Sequence, residues 1–541
     1  MKKNDYFIGK CIDYTHDGMG VVKIDGFPVF VKNMLIHEKG NIKIIKVLKN
    51  YAVGRLIDII EKSDDRVESR CPLFKQCGGC HLQHLSFSEQ QRFKTKRVKD
   101  VLTRIGHCDV EVNECLMMEE PWFYRNKVQV PVGKVNGEIV TGFYKQHSND
   151  IIPMDLCYIQ NEESNKVVNR IRELMKEYHI EPYDKIKHTG NIKHILTKQG
   201  YYTKEMMVVL ISNNKKIPHI FKIVNRLKKE FPNIRTIIQN INPRNDNVIL
   251  GEKEVVLFGE GYIEDTLLGL NYRISLKSFY QINPVQVEKL YSKAIEFASF
   301  NKNDVIIDAY CGIGTIALSC ASQVKKVYGV EVVEEAILDA KNNAMRNHID
   351  NVEFYAQDAG EFMVDFAKKG IHIDVVMVDP PRKGCSEVFL NQLVTLSPSK
   401  IVYISCDVST QARDIDYLQK EGYQVIKCQP VDMFPHTNHI ETVVLLSKLK
   451  TKKHINIELR TDEFDLTASE SKATYAKIKQ YVLEKHGIKV SSLNIAQIKQ
   501  KCGIKERDNY NLSKKENVKQ PQCTVEKEKA IMDAFRHFQM I

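Results

Sequence analysis

Cys406 and Glu441 are the two side chains of this 541-residue chain best suited to act together in covalent chemistry. Cys406 lies in Tyr403-Ile404-Ser405-Cys406-Asp407, just after a short apolar run. If that run is a parallel strand, its carboxyl end is where open α/β sheets bind ligands. Glu441 closes the segment Asp432-Met433-Phe434-Pro435-His436-Thr437-Asn438-His439-Ile440 and opens another apolar run, which can return a carboxylate to the same cleft. A thiol and a carboxylate are what substitution at C5 of a pyrimidine needs. C5 of uracil is a poor nucleophile, but a thiolate adding at C6 turns the ring into an enolate whose C5 attacks an activated methyl group. A base must then take the C5 proton so that the thiolate can leave. Structural cysteines are also common at strand ends, and that reading stands beside the catalytic one.

A methyl donor needs a pocket, and one is signalled upstream. Asp304-Val305-Ile306-Ile307-Asp308-Ala309-Tyr310-Cys311-Gly312-Ile313-Gly314-Thr315 reads as a strand, an acid, a glycine turn and a helix start. Glycines there let backbone approach a ligand closely, and Glu331, at the end of the second apolar run, can hydrogen-bond both hydroxyls of a ribose. The third glycine of a dinucleotide fingerprint is absent, Ala317 being the nearest small residue, so S-adenosylmethionine fits better than a dinucleotide. Asp358, in Gln357-Asp358-Ala359, suits either an adenine contact or a helix N-cap. In Asp379-Pro380-Pro381-Arg382-Lys383-Gly384 two prolines make a rigid turn that aims Asp379 into the cleft. This signal alone does not choose the target atom: an amino-methyltransferase would use it too, without a thiol.

These residues require a particular scaffold. From Asp304 onward, short apolar runs (305–307, 326–330, 352–355, 374–378, 401–404, 424–428 and 441–446) alternate with helical stretches, which predicts a parallel, doubly wound Rossmann-like α/β sheet. Residues 8–60 carry about five short strands with an Asp25-Gly26 hairpin signal, enough for a small closed barrel. The organisation expected is a barrel over 1–62, a mixed α+β central domain over 63–270, a catalytic domain over 271–450 and a lysine-rich helical extension over 451–541. Within that extension, 471–502 reads as two helices around a glycine turn.

A second constellation is Cys71-x5-Cys77-Gly78-Gly79-Cys80. Three thiols in a tight loop point to a metal, and the fourth ligand can come from Cys108, Cys115 or Cys157, with His81 and His84 less suited. Only one C-x2-C pair is present, against the two of a zinc ribbon. The uneven spacing suits an iron–sulfur cluster better than zinc.

Taken in order, D-x-Y-C-G-x-G-T, D-P-P-R-K-G, S-C-D and H-x-x-H-I-E resemble the class I RNA 5-methyluridine methyltransferases, closest to those acting on 23S rRNA. Ser278-Phe279-Tyr280-Gln281-Ile282-Asn283 is similar to the F-x-Q-x-N element that opens their catalytic domain, and Tyr124-Arg125-Asn126-Lys127 matches their central region. The resemblance covers about residues 1–450. It implies that Gln281, Tyr310, Glu331 and Asp379 line the S-adenosylmethionine pocket, that Cys406 is the nucleophile and Glu441 the base, and that the barrel is an RNA-binding TRAM domain. It also implies a [4Fe–4S] cluster on Cys71, Cys77, Cys80 and Cys157. One departure is Asp407-Val408, where the family commonly has Asn-Pro.

The rest of the chain fits an RNA enzyme without requiring one. The net charge is +11, and the tail from 451 holds six more Lys and Arg than Asp and Glu. Arg92, Lys94, Lys96, Arg97, Lys99 and Arg104 lie on a helix expected over 88–105, as a phosphate-facing stripe or a solvated face. C5 attack requires an unstacked uridine, so a single-stranded RNA loop is the expected target, in rRNA or tRNA. No apolar run reaches membrane-spanning length and no secretory h-region follows Met1, so a cytoplasmic monomer with reduced cysteines is expected. The contrasting reading, an inactive iron–sulfur RNA-binding protein, leaves Cys406 and Glu441 without a reason to be present.

Overall fold

The computed structural model describes residues 1–145, 148–448, 475–502, 523–538 and 540. Contacts divide the chain into two compact units, 1–450 and 451–541.

Strands Tyr6–Tyr14, Gly20–Ile24, Phe27–Lys32, Lys39–Val47 and Ala52–Glu61 close into a barrel. Its interior is filled by alternate residues of these strands, including Val22, Ile24, Val29, Val31, Ile42 and Ile44. Asp25 and Gly26 both take positive φ, 51° and 80°, as a two-residue hairpin turn demands. A cysteine-bearing loop and the helix Phe87–Arg104 follow, then a seven-stranded sheet between Lys127 and Phe258. Helices Glu162–Glu177 and Ile220–Glu230 pack on that sheet through Val167, Ile171, Leu174, Ile223 and Leu227.

The catalytic sheet also has seven strands. Their order is Val352–Ala356, Lys326–Glu331, Val305–Ala309, Val375–Val378, Lys400–Ser405, Glu441–Lys448 and Tyr423–Val431. The first five are parallel. Successive residues of one strand enter opposite cores, Ile306 and Met377 on one face, Ile307 and Val376 on the other, so the sheet is doubly wound. The expectation of an all-parallel sheet is corrected at its edge: Glu441–Lys448 runs antiparallel to both neighbours. Only residues 432–440 join it to Tyr423–Val431, too short a link for the crossover that a parallel return needs.

The second unit has helices Tyr475–His486, Ser492–Lys501 and Val525–His537 around Ile478, Val482, Ile495, Ile498, Ile531 and Phe535. Gly487, at φ 67°, ends the first of them. Of the helical stretch expected over 471–502, residues 471–474 lie outside the described residues, and the third helix falls in the rest of the extension, which was expected to be helical without a boundary for this helix. Among the described residues no helix is long and apolar enough to cross a membrane.

Candidate active site at the carboxyl end of the sheet

The carboxyl ends of five parallel strands carry the candidate site residues. Val305–Ala309 delivers Asp308, which is fully buried and accepts a hydrogen bond from Ala317 N at 2.8 Å. That bond ties the strand to the first turn of the next helix across the glycine turn. Tyr310, Gly312 and Gly314 all take positive φ, and a Cβ on Gly314 would meet the Phe354 ring at 2.8 Å. Glu331 holds the turn from the neighbouring strand, accepting from Gly312 N at 3.3 Å and from Val333 N at 3.1 Å. Asp358 caps the helix Ala359–Lys368, its Oδ1 accepting from Gly360 N at 2.8 Å and Glu361 N at 3.2 Å. Tyr310 packs its ring 5.3 Å from that of Phe389.

Asp379 follows the fourth strand, and burial pushes its carboxyl up to about 7. Burial, with Glu441 and Asp379 nearby, pushes the Cys406 thiol up to about 12, while Arg382 pulls it down. Glu441 is 4% exposed. Its carboxyl is raised well above the ordinary value by burial and by Asp379, again opposed by Arg382. Cys406, Asp379, Glu441 and Arg382 thus stand close enough to feel one another's charge. Tyr291 feels Asp379 and hydrogen-bonds with Gln281, which brings Gln281 to the same cleft.

Burial disfavours the charged forms of Asp379, Cys406 and Glu441, and with Asp308 and Glu331 behind them they form a site that favours a cationic ligand. A positive charge entering it restores each carboxylate towards its ordinary pKa. A sulfonium meets that description and a neutral metabolite does not.

Asp407 resolves the departure in the Cys406 loop. Its Oδ1 caps the helix Val408–Lys420, accepting from Ser409 N at 2.9 Å and Thr410 N at 3.4 Å, so an acid does there what a small polar residue commonly does.

The structure also brings Cys71, Cys77, Cys80 and Cys157 to the wall of one cavity of about 300 Å³, lined as well by Arg125, Lys127 and Gln129. The Cys80 thiol is pushed up to about 12 by burial and by the charges of the other three. Among the described residues no three His, Cys, Asp or Glu side chains are grouped tightly enough to hold a metal ion as they stand. Thiols spread round a cavity and backed by two cations suit a larger anionic assembly, and the donor set fits an iron–sulfur cluster. Cys108 and Cys115 lie elsewhere, in the core of the catalytic sheet.

Of the six cations expected on the helix Phe87–Arg104, Lys99 and Arg104 are exposed, while four are engaged by the protein itself. Lys94 is buried and paired with Asp432, Arg92 pairs with Asp65 and Glu89, and Lys96 pairs with Asp13 and Asp100. Arg97 donates to Asn438 O. Glu89 and Asp100 lie on the helix itself, but Asp13, Asp65, Asp432 and Asn438 lie on distant segments that the pattern could not show; the apolar Phe93, Val98 and Leu102 were local signs that this face turns inward.

Comparison with known proteins agrees with this geometry. The family described as tRNA (uracil-5-)-methyltransferase matches residues 86–449. An uncharacterized RNA methyltransferase of Halalkalibacterium halodurans is 48% identical over 447 residues, 82% of this chain and 98% of the relative. One of Clostridium acetobutylicum is 47% identical over 451 residues, covering 83% and 98%. The crystal structure of Pyrococcus abyssi tRNA (uracil-54, C5)-methyltransferase in complex with S-adenosyl-L-homocysteine aligns with a TM-score of 0.66 at 26% identity, over 81% of this chain and all of that one. The chain belongs to the tRNA (uracil-5-)-methyltransferase family and is an S-adenosylmethionine-dependent RNA methyltransferase.

Proposed function

We propose that the chain methylates C5 of a uridine in RNA, with 23S rRNA as the target, through a Cys406–C6 adduct resolved by Glu441. The observation that carries the reading is the meeting of Cys406 and Glu441 beside Asp379 in a cleft suited to a cation. S-adenosylmethionine, when bound, supplies the methyl group. Glu331 serves the ribose hydroxyls, Asp358 the adenine beside its role as helix cap, and Gln281, Tyr310 and Asp379 the remaining wall. The Cys406 thiolate adds to C6 of uracil, which makes C5 nucleophilic towards the methyl group. Glu441 then takes the C5 proton, the C5–C6 double bond re-forms, and the C6–S bond breaks to return the thiolate. Arg382 favours the charged forms of both groups.

The same reading assigns residues 1–62 to a TRAM-like barrel, 63–270 to a central domain with a [4Fe–4S] cluster on Cys71, Cys77, Cys80 and Cys157, 271–450 to catalysis and 451–541 to an added helical unit, in a cytoplasmic monomer. A barrel together with a cysteine cavity favours rRNA. A transfer RNA target is the second reading, favoured by the Pyrococcus enzyme's substrate. Mapping 5-methyluridine in rRNA and tRNA from cells with and without the protein separates the two. RNA carrying 5-fluorouridine tests the chemistry: fluorine cannot leave as a proton, so the enzyme should stay covalently joined to RNA through Cys406. Absence of that adduct with the active enzyme overturns the covalent mechanism.

A further inference from the structure

The segment 432–440 has to present Glu441, yet it lies between strands and lacks a ladder to satisfy its carbonyls. Side chains and loops from elsewhere take that role. Gln286 donates to Asp432 O at 3.0 Å, Asn283 to Met433 O at 3.0 Å, and Tyr124 to Pro435 O at 3.2 Å. His81 N and Leu82 N, in the cysteine loop, both donate to His436 O at 2.9 Å, and Arg97 donates to Asn438 O. One group binds the segment at three separate places. Lys94, from the helix Phe87–Arg104, ion-pairs with Asp432 and donates to Phe434 O at 3.3 Å and His439 O at 3.0 Å. Its side chain is 0% exposed and that of Asp432 1%, so neither water nor substrate reaches the pair.

A lysine buried this completely is costly to desolvate, and an apolar pair of similar volume often packs as well or better. What the ammonium adds is geometry. Its three N–H groups can tie the start of the segment, its middle and the residue two before Glu441 to one point.

We propose that Lys94 is a positioning residue for Glu441, its ammonium fixing the 432–440 segment so that the carboxylate meets the C5 proton. This rests on Glu441 being the base. Lys94 touches no reacting atom, so its loss should impair the proton-removal step and leave the preceding steps largely intact. Misplacing a base by about 1 Å can cost about 100-fold in its step.

The test compares full-length Lys94→Met, Lys94→Met/Asp432→Leu and Glu441→Gln proteins with wild type on ordinary uridine RNA. Methyl transfer in a single turnover and the lifetime of the enzyme–RNA adduct are followed separately. The single variant leaves Asp432 buried without its partner, and it can lose stability for that reason alone. The double variant removes both charges and still leaves the His439 carbonyl without the Lys94 donor, while the Phe434 carbonyl keeps Thr437 N and Thr437 Oγ1. For the double variant we expect methyl transfer within about threefold of wild type and an adduct living roughly 10- to 100-fold longer. Wild-type adduct decay in the double variant, beside a long-lived adduct in Glu441→Gln, overturns the role of Lys94 and leaves the base assignment standing. Equal loss of methyl transfer and adduct decay in the double variant reduces Lys94 to a fold element and also overturns it. No lasting adduct in Glu441→Gln removes the base assignment itself, and this inference with it.

Discussion

Cys406 and Glu441 face one another across the end of an antiparallel strand pair. Ser405 is paired with Thr442, and the next step of that register sets the thiol against the carboxylate. The position is held from behind: Gln411 accepts from Thr442 Oγ1 at 2.5 Å and donates to Tyr403 O at 2.9 Å, clamping both strands to the helix Val408–Lys420. Burial and the Glu441 charge make ionisation of Cys406 harder, which gives the pair a pH signature.

The first prediction is that signature. In the unliganded chain the Cys406 thiol is pushed up to about 12, and Glu441 is raised by burial. The reactive forms are the thiolate and the carboxylate; the thiol holds its proton at neutrality, and burial favours the protonated form of Glu441. Raising the pH therefore populates the active state. Single-turnover adduct formation should climb by up to about tenfold per pH unit above neutrality, with no fall until the protein unfolds. A profile that declines above pH 7 contradicts the assignment.

Arg382 is the one cation found to oppose these shifts in both groups. Arg382→Ala should slow adduct formation by about tenfold, equivalent to about one pKa unit on the thiol. Its pH–rate curve should shift to higher pH. Because Arg382 is exposed, the fold should melt within a degree or two of wild type. An unshifted curve would mean that solvent screens the guanidinium.

Asp379 predicts a linkage between pH and the methyl donor. Its carboxyl, at about 7, is raised above the unfolded value by burial. Its contribution to the unliganded fold is therefore complete at low pH and lost as pH rises through about 7. The cationic donor prefers the carboxylate, so the sign reverses on binding. Thermal unfolding of the free protein should drop between about pH 4 and 7 and level off above, while the added stability from S-adenosylmethionine should grow over the same range. Asp379→Asn should flatten both trends. Growth of the ligand effect in Asp379→Asn as well would assign the titration to another group.

The parallel strands, the barrel and the helix Phe87–Arg104 could be read from apolar period, glycine turns and caps because those signals are local. The direction of Glu441–Lys448 was missed because nothing in an apolar run records which way it points; only the short link before it does. Lys94 was placed on a surface stripe because charge patterns assume solvent, and its partner is 338 positions away. The candidate site could be proposed from sequence to the extent that the chemistry it would perform fixes residue types: a thiol, and carboxylates proposed as base and ribose contact. Gln286, Asn283 and Tyr291 carry no such mark, since any polar residue of suitable reach can bind a carbonyl or line a wall.

Glu331 separates the cofactor from the RNA. It accepts hydrogen bonds from Gly312 N and Val333 N, so Glu331→Gln should keep the turn better than Glu331→Ala while losing the charge. Titration calorimetry should show S-adenosylmethionine binding weakened by about 10- to 100-fold in the alanine variant, the equivalent of one or two charge-assisted hydrogen bonds. RNA affinity should stay within about threefold of wild type. Equal loss of both affinities would make Glu331 a fold element.

The cysteine cavity gives the last prediction. Cys157 is buried beside Cys80, and its thiol is pushed up to about 11 by burial and by the charges of Cys77 and Cys71. Burial and mutual charge keep these thiols protonated, and metal binding would replace those protons. Protein purified without oxygen should be brown, with iron and sulfide in equal amounts. Cys157→Ser should lose both, and so should Cys71→Ser. Cys108→Ser and Cys115→Ser should keep the cluster, since those thiols sit in the apolar core of the catalytic sheet. Because His81 N and Leu82 N bind His436 O, loss of the cluster should also loosen the segment before Glu441. Amide exchange there should speed up in Cys157→Ser, whereas the strand Val305–Ala309 should stay protected. Zinc in place of iron, or a cluster that survives Cys157→Ser, would overturn the ligand set.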